Sequence, residues 1–176
     1  MTDENTAATM VRSEASEAAK DEVLTDAPHY LARTLLANGI RNMYGVVGIP
    51  VTDFARIAQD MGMRFIAMRH EEDAVNAAAA EGFITSRPAI ALTVSAPGFL
   101  NGLPALLEAT VNGFPVIMIG GSSTRHVVDL DEGEYEGLDQ MGYAKRFCKA
   151  SFRVDRIEDI PLVVARAMHV ASSGRP

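Results

Sequence analysis

The 176-residue sequence has one cysteine, Cys148, and no tryptophan. A single thiol closes no internal disulfide and has no second thiol with which to hold a structural zinc, so a disulfide scaffold is excluded and a reducing, cytoplasmic setting is expected. No window approaches the eighteen or so consecutive apolar residues of a membrane span, and the opening MTDENTAATM has neither the basic start nor the apolar segment of an export signal. Sixteen basic against twenty-three acidic residues give a formal charge of −7, with no run of Lys or Arg to track phosphates, so nucleic acid is not an expected partner. The patterns GxxxxGK[ST], GxSxG, HExxH and GxGxxG are all missing, which removes support for nucleotide hydrolysis, serine hydrolysis and zinc proteolysis. The four histidines, His29, His70, His126 and His169, stand singly, and no metal site built by this chain alone is expected.

What the sequence does have is apolar material for a core: 48% of residues are hydrophobic and 22% charged, the balance of a folded domain. Residues 1–25 are rich in Ala, Glu, Asp, Thr and Ser and cannot offset their ordering entropy by burial, so a flexible polar tail is expected there. The domain then occupies residues 26–176. It opens with an Asp26 cap and early Pro28 before Tyr30, Leu31, Leu35 and Leu36 at helical spacing, and that helix stops near Asn38-Gly39.

A repeating rhythm follows of short apolar run, Gly- or Pro-containing loop and helical pattern. Met43–Val46, Arg64–Ala67, Ala89–Val94 and Pro115–Ile119 read as strands; helices are expected from a Thr52 or Asp53 cap to Gln59, from Glu71 to Thr85, from Ser95-Ala96-Pro97-Gly98 to about Val111, and from Ile157 to Ala171. Strands apolar at consecutive positions and separated by helices imply an α/β fold with an open, doubly wound parallel sheet and helices on both faces. Ligands bind such sheets where the loops after the strands gather, here Val47–Pro50, Met68–Glu72, Ser95–Asn101 and Gly120–Arg125. Residues 129–143 are acidic and irregular. After the last helix, Ser173-Gly174-Arg175-Pro176 leads in this rhythm toward another strand, so the chain is expected to stop before the last strand of its domain.

One cluster on the binding edge combines charge with apolar company. Arg69-His70-Glu71-Glu72-Asp73 marks a strand-to-helix handover, where acids complement the helix dipole. The alanine-rich helix that follows also allows one of these carboxylates to be buried. Both readings stand from the residues alone.

Four segments taken together resemble the pyrimidine-binding domain of thiamine diphosphate-dependent enzymes. They are Tyr44-Gly45-Val46-Val47-Gly48-Ile49-Pro50; Arg69-His70-Glu71 with Ala80-Glu81-Gly82; Val94-Ser95-Ala96-Pro97-Gly98 with Asn101; and Phe114-Pro115-Val116-Ile117. The resemblance runs from about Asp26 to the last residue. Tyr44 to Thr52, Leu92 to Gly102 and Glu134-Tyr135-Glu136-Gly137-Leu138-Asp139-Gln140-Met141 look like the oxalyl-CoA decarboxylase branch. Acetolactate synthase relatives typically carry Gly-Pro-Gly at Ala96-Pro97-Gly98 and Phe-Gln-Glu near Glu134-Tyr135-Glu136.

The resemblance implies that Glu71 hydrogen-bonds a ring nitrogen of the cofactor's aminopyrimidine and drives it to the imino tautomer that removes the thiazolium proton. Pro97, Gly98 and Asn101 would then line the pyrimidine pocket or shape a helix entry. Ile49, Tyr135 and Glu136 would face the substrate, oxalyl-CoA, which is converted to formyl-CoA and carbon dioxide in oxalate catabolism. Arg175 matches a position implicated in binding an ADP activator. Magnesium and the diphosphate belong, by the same resemblance, to a separate C-terminal domain, and a second subunit of a homodimer or homotetramer completes the site. Other members of the family, such as acetolactate synthases or split sulfopyruvate decarboxylases, and a non-catalytic α/β binding module are the alternative readings.

Overall fold

The computed structural model describes residues 25–128, 130, 133 and 136–174. The N-terminal tail, Tyr135 and Arg175 lie outside the described residues. In chain order the elements are α1 (Ala27–Ala37), β1 (Asn42–Gly45), α2 (Thr52–Asp60), β2 (Arg64–Ala67), α3 (Glu71–Thr85), β3 (Ala89–Thr93), α4 (Pro97–Asn112), β4 (Val116–Gly120), α5 (Gln140–Ala144), a 3-10 turn (Ile157–Asp159) and α6 (Ile160–Ser172). The strands form a parallel sheet in the order β2-β1-β3-β4.

Most element ends follow from local chemistry. Asp26 caps α1 by accepting the His29 N–H at 2.9 Å, and Gly39, at φ +85°, turns the chain out of that helix. Two expectations are corrected. Neither Thr52 nor Asp53 caps α2: Val51 holds that position without a side-chain bond, and the N–H groups of Val51 and Thr52 both reach Gly48 O, at 2.8 and 3.1 Å. The α-helical part of the last helix begins at Ile160 rather than Ile157. Pro161 lacks an N–H and is accommodated in a first helical turn, so the preceding residues close as a 3-10 turn.

Alternation along the strands builds two cores, one on each face. Met43, Ile90 and Leu92 face Leu35, Phe54, Ile57, Ile160 and Val164 of α1, α2 and α6. Ala89 and Ala91 face Val75, Ala78, Leu103, Leu106 and Ala144 of α3, α4 and α5. Each fully buried Ile or Leu contributes about 1.5–3 kcal/mol of transfer free energy, which makes β3, buried at every position, the spine of the domain. Its second face carries only small residues, and α3 answers with Ala74, Ala78 and Gly82, all buried. A Cβ at Gly82 would lie 2.2 Å from Pro115 O. The helix therefore sits against backbone.

Beyond β4 the sheet has no paired strand among the described residues. An apolar groove of about 700 Å³ lies beside that strand, between Leu31 and Val163 on one side and Phe99, Leu106 and Phe152 on the other. Residues 150–154, which form part of its wall, carry no regular structure. No helix among the described residues is long and apolar enough to cross a membrane.

Tyr44 on β1 stands beside Glu81 of α3, whose Oε1 also accepts from Asn42 Nδ2 at 3.1 Å. Burial, reinforced by the Glu81 carboxylate, pushes the Tyr44 phenol up to about 12. An unfolded chain releases that proton from its ordinary value of 10.0 upward, so in this window the folded state binds more protons and stability falls as pH rises. Denaturation midpoints measured between about pH 9 and 11.5 should fall less steeply in Tyr44→Phe than in the wild type; equal slopes would remove Tyr44 from the alkaline transition.

Candidate functional site

The loops at the carboxyl ends of the strands touch one another. A Cβ at Gly48, after β1, would lie 2.8 Å from Val94 Cγ1 after β3, and one at Gly121, after β4, would lie 2.7 Å from Pro50 Cδ. The first turns of α3 and α4 open onto the same edge, because each helix directly follows a strand of the parallel sheet.

Glu71 is the first residue of α3 and is buried, with 7% of its surface exposed. Its neighbours behave differently: Glu72 is half-buried and Asp73 exposed, as acids placed for the helix dipole should be. Both readings of this cluster therefore hold, for different residues. His70 caps the helix, its Nδ1 accepting the Glu72 N–H at 3.2 Å.

The first turns of α4 meet the Glu71 carboxylate at both oxygens. Asn101 Nδ2 donates to Oε2 at 3.0 Å. Oε1 faces Gly98, where a Cβ would lie only 2.7 Å from it and 2.3 Å from Val94 Cγ2. Among the described residues Oε1 has no hydrogen-bond partner, and no cation pairs with Glu71. A carboxyl group that is buried, oriented by one neutral amide and open at its other oxygen toward a glycine is suited to a strong hydrogen bond with a ligand nitrogen, since low polarity strengthens the bond. Close by at the end of β3, Thr93 Oγ1 and Ser95 Oγ are buried without partners, at a cost of about 1–3 kcal/mol for each unsatisfied group.

The entry to α4 is a strained turn. Ala96 adopts φ +47°, ψ −105°, outside the regions open to L-residues, and Pro97 then starts the helix. The Ala96 N–H is held by Gln140 Oε1 at 2.7 Å, while Gln140 Nε2 donates to Gly121 O at 2.7 Å. One side chain thus ties the β3–α4 loop to the end of β4.

Of the residues singled out from sequence, Glu71, Gly98 and Asn101 come together, with Pro97 at the head of the same helix. Ile49 lies in the β1–α2 loop on the same edge, 80% exposed, and makes no polar contact with Glu71. Glu136 is half-buried and is tied in through its backbone, its carbonyl accepting from Ser123 Oγ at 2.5 Å. Tyr135 and Arg175 lie outside the described residues. Gln140 was not singled out as a site residue, because its partners are 44 and 19 positions away and no local pattern marks it. Cys148 packs, its thiol pushed up by burial and donating to Ala144 O and Ala150 O. Among the described residues no group of three His, Cys, Asp or Glu is placed to hold a metal ion.

The strain at Ala96 is open to measurement. Glycine adopts this backbone conformation freely, so Ala96→Gly should change stability by less than about 1 kcal/mol, the relieved strain offsetting the lost methyl and the looser unfolded chain. Ala96→Val, β-branched at positive φ in a buried position, should cost roughly 2 kcal/mol or more. Denaturant titration of both variants checks the pair, and an equal effect of Gly and Val would show that the turn is not strained.

Comparison with known proteins shows what the chain as a whole is similar to. Residues 25–143 match the family described as thiamine pyrophosphate enzyme, N-terminal TPP binding domain. The chain is 59% identical over 153 residues to an oxalyl-CoA decarboxylase of Escherichia coli (strain K12), covering 87% of this chain and 27% of that protein. It is 43% identical over 159 residues to a 2-hydroxyacyl-CoA lyase of Oryza sativa subsp. japonica, covering 90% and 27%, and 38% identical over 146 residues to 2-hydroxyacyl-CoA lyase 1 of Homo sapiens, covering 83% and 25%. The chain spans about a quarter of the length of these curated relatives. With more than half of its residues matched, this chain belongs to the thiamine pyrophosphate enzyme family, as an N-terminal TPP-binding domain.

Proposed function

We propose that this domain activates thiamine diphosphate within an oxalyl-CoA decarboxylase that converts oxalyl-CoA to formyl-CoA and carbon dioxide in oxalate catabolism. The observation that carries the reading is the Glu71 carboxyl group, buried, held at one oxygen by Asn101 and open at the other onto the Gly98 cradle. The donor set fits an aminopyrimidine: among the described residues Oε1 has no hydrogen-bond partner and no cation pairs with the carboxylate. When bound, thiamine diphosphate supplies an electron sink at its thiazolium carbon for decarboxylation of an acyl group.

In this reading Glu71 holds a proton in a hydrogen bond to a ring nitrogen of the pyrimidine and so promotes proton loss from the neighbouring amino group. Asn101 keeps the carboxyl aimed, Pro97 and Gly98 shape the wall, and the surrounding apolar residues exclude water that would weaken the bond. Ile49, Tyr135 and Glu136 form the substrate side, and Arg175 contributes to an ADP activator site. Magnesium and the diphosphate are held by another domain of a longer cytoplasmic protein. The free edge of β4 and the groove beside it support a further strand there as the completion of this domain.

A second subunit completes the site. Its support is the outward face of α4, where Leu100, Pro104, Leu107 and Val111 are exposed at helical spacing, a stripe that a second copy would cover. The choice of oxalyl-CoA over a 2-hydroxyacyl-CoA rests on the higher identity to the decarboxylase than to the lyases. Purified full-length protein given oxalyl-CoA should release formyl-CoA; turnover of 2-hydroxyacyl-CoA thioesters in its place would replace the decarboxylase reading with the lyase one.

Glu71→Ala should keep most of the cofactor affinity and lose deuterium exchange at the thiazolium carbon by about two powers of ten, with Glu72→Ala doing far less. Wild-type exchange in Glu71→Ala would take Glu71 out of the reaction. Tyr135→Phe and Glu136→Gln should lower decarboxylation more than they lower that exchange, because the interactions they remove belong to the substrate and its transition state. If the two rates fall in parallel, the loop acts on cofactor placement instead.

A further inference from the structure

Both oxygens of Glu71 are met by the first turns of α4, at Gly98 and Asn101. Where those residues sit depends on how the chain enters the helix. The entry is Ala96, at φ +47°, ψ −105°, a conformation that persists only when its surroundings over-determine it. Three bonds hold this corner: the Ala96 N–H to Gln140 Oε1 at 2.7 Å, Gln140 Nε2 to Gly121 O at 2.7 Å, and the Gly121 N–H to Thr93 O at 3.0 Å. The first two come from one side chain. Gln140 is the first residue of α5, and Ala144 of the same helix anchors α5 in the core that contains Val75 of α3 and Leu103 of α4. The clamp is therefore mounted on the packing that also holds the two site helices.

We infer that Gln140 is a positioning residue: it locks the strained Ser95–Gly98 turn so that Gly98 and Asn101 present themselves to the two oxygens of Glu71. A primary amide suits this task, since one face accepts the buried Ala96 N–H and the other donates to the Gly121 carbonyl. Without it the Ala96 N–H and Gly121 carbonyl lose their partners and the turn relaxes toward ordinary backbone angles. That relaxation moves the start of α4 and with it Asn101. The consequence for proton transfer rests on the reading of Glu71 given above; the locking of the turn does not.

The test uses the full-length protein with two variants. Gln140→Met keeps the length of the side chain and removes both bonds. Gln140→Glu keeps an acceptor for the Ala96 N–H and removes the donor to Gly121. Hydrogen exchange of the peptide spanning residues 95–101, read by mass spectrometry, should accelerate about tenfold or more in Gln140→Met, as expected when buried hydrogen bonds are lost. Exchange at the thiazolium carbon of bound thiamine diphosphate should slow about tenfold while the Kd for the cofactor stays within about threefold. Gln140→Glu keeps the acceptor but sets a carboxylate oxygen against the Gly121 carbonyl, so it should lie between the wild type and Gln140→Met in both readouts; if the Met variant does not fold, a measurable loss of the turn's protection in Gln140→Glu is the expected result. Unchanged protection of the turn overturns the inference. So does a loosened turn with wild-type thiazolium exchange, provided Glu71→Ala abolishes that exchange. If Glu71→Ala leaves thiazolium exchange intact, the reading of Glu71 fails by itself, and the turn's protection alone decides for or against the clamp.

Discussion

The close approach of α3 and α4 to each other and to β3 is the constraint on which the site depends. Ala89 and Ala91 on the strand, Ala74, Ala78 and Gly82 on α3, and Gly98 and Gly102 on α4 leave room for backbone rather than side chain between the layers. Gly102 lies at this junction: a Cβ there would lie 3.3 Å from Val75 Cγ2 of α3 and 3.6 Å from Thr93 Cγ2 of β3. At that spacing the first residue of α3 is covered by the first turns of α4. A carboxyl group that would otherwise be solvated at a helix start is left only 7% exposed in this pocket, with the Asn101 amide as its hydrogen-bond partner.

Such a pocket is unfavourable for the fold, and the surrounding structure carries the cost. A buried acid without a cation, two buried hydroxyls without partners and an alanine in a sparsely populated backbone region lie close together at one end of the sheet. Backbone strain of the kind seen at Ala96 costs on the order of 1–3 kcal/mol, a sizeable share of the roughly 5–15 kcal/mol net stability of a typical domain. The opposite core, with Leu35, Met43, Ile90 and Leu92 almost wholly buried, contains none of these features. Stability is concentrated on one face of the sheet and strain at its carboxyl edge, the division expected when a rigid scaffold presents a reactive group.

The match to the TPP-binding domain spans residues 25–143, a range that contains the segments on which the resemblance was noted, and the structure brings two of those segments into contact. Gly98 is the residue whose missing side chain leaves the Glu71 oxygen open. Asn101, one turn further on, reaches the other oxygen. Motifs separated by some thirty residues in the chain are thus one contact in space.

Much of this was legible in the residues themselves. The strand at 89–93, apolar throughout, the Asp26 cap and the helix from Glu71 to Thr85 follow from periodicity and capping chemistry, which act over a few residues and so are written locally. The parallel sheet follows from the alternation of strands and helices, while the order β2-β1-β3-β4 came from the structure. Composition could not say which of Glu71, Glu72 and Asp73 is buried, because all three suit a helix start and only the packing of α4 distinguishes them. Nor could it reveal Gln140, whose partners lie on two other loops, or the backbone angles of Ala96, an ordinary residue by type. What the sequence determined by itself is the four strands, the long helices and the family they spell, while α5 (Gln140–Ala144) falls in and just beyond the stretch read as irregular. Only the tertiary structure decided which carboxylate is desolvated and which side chain braces the turn beside it, because burial and long-range hydrogen bonds are properties of neighbours in space.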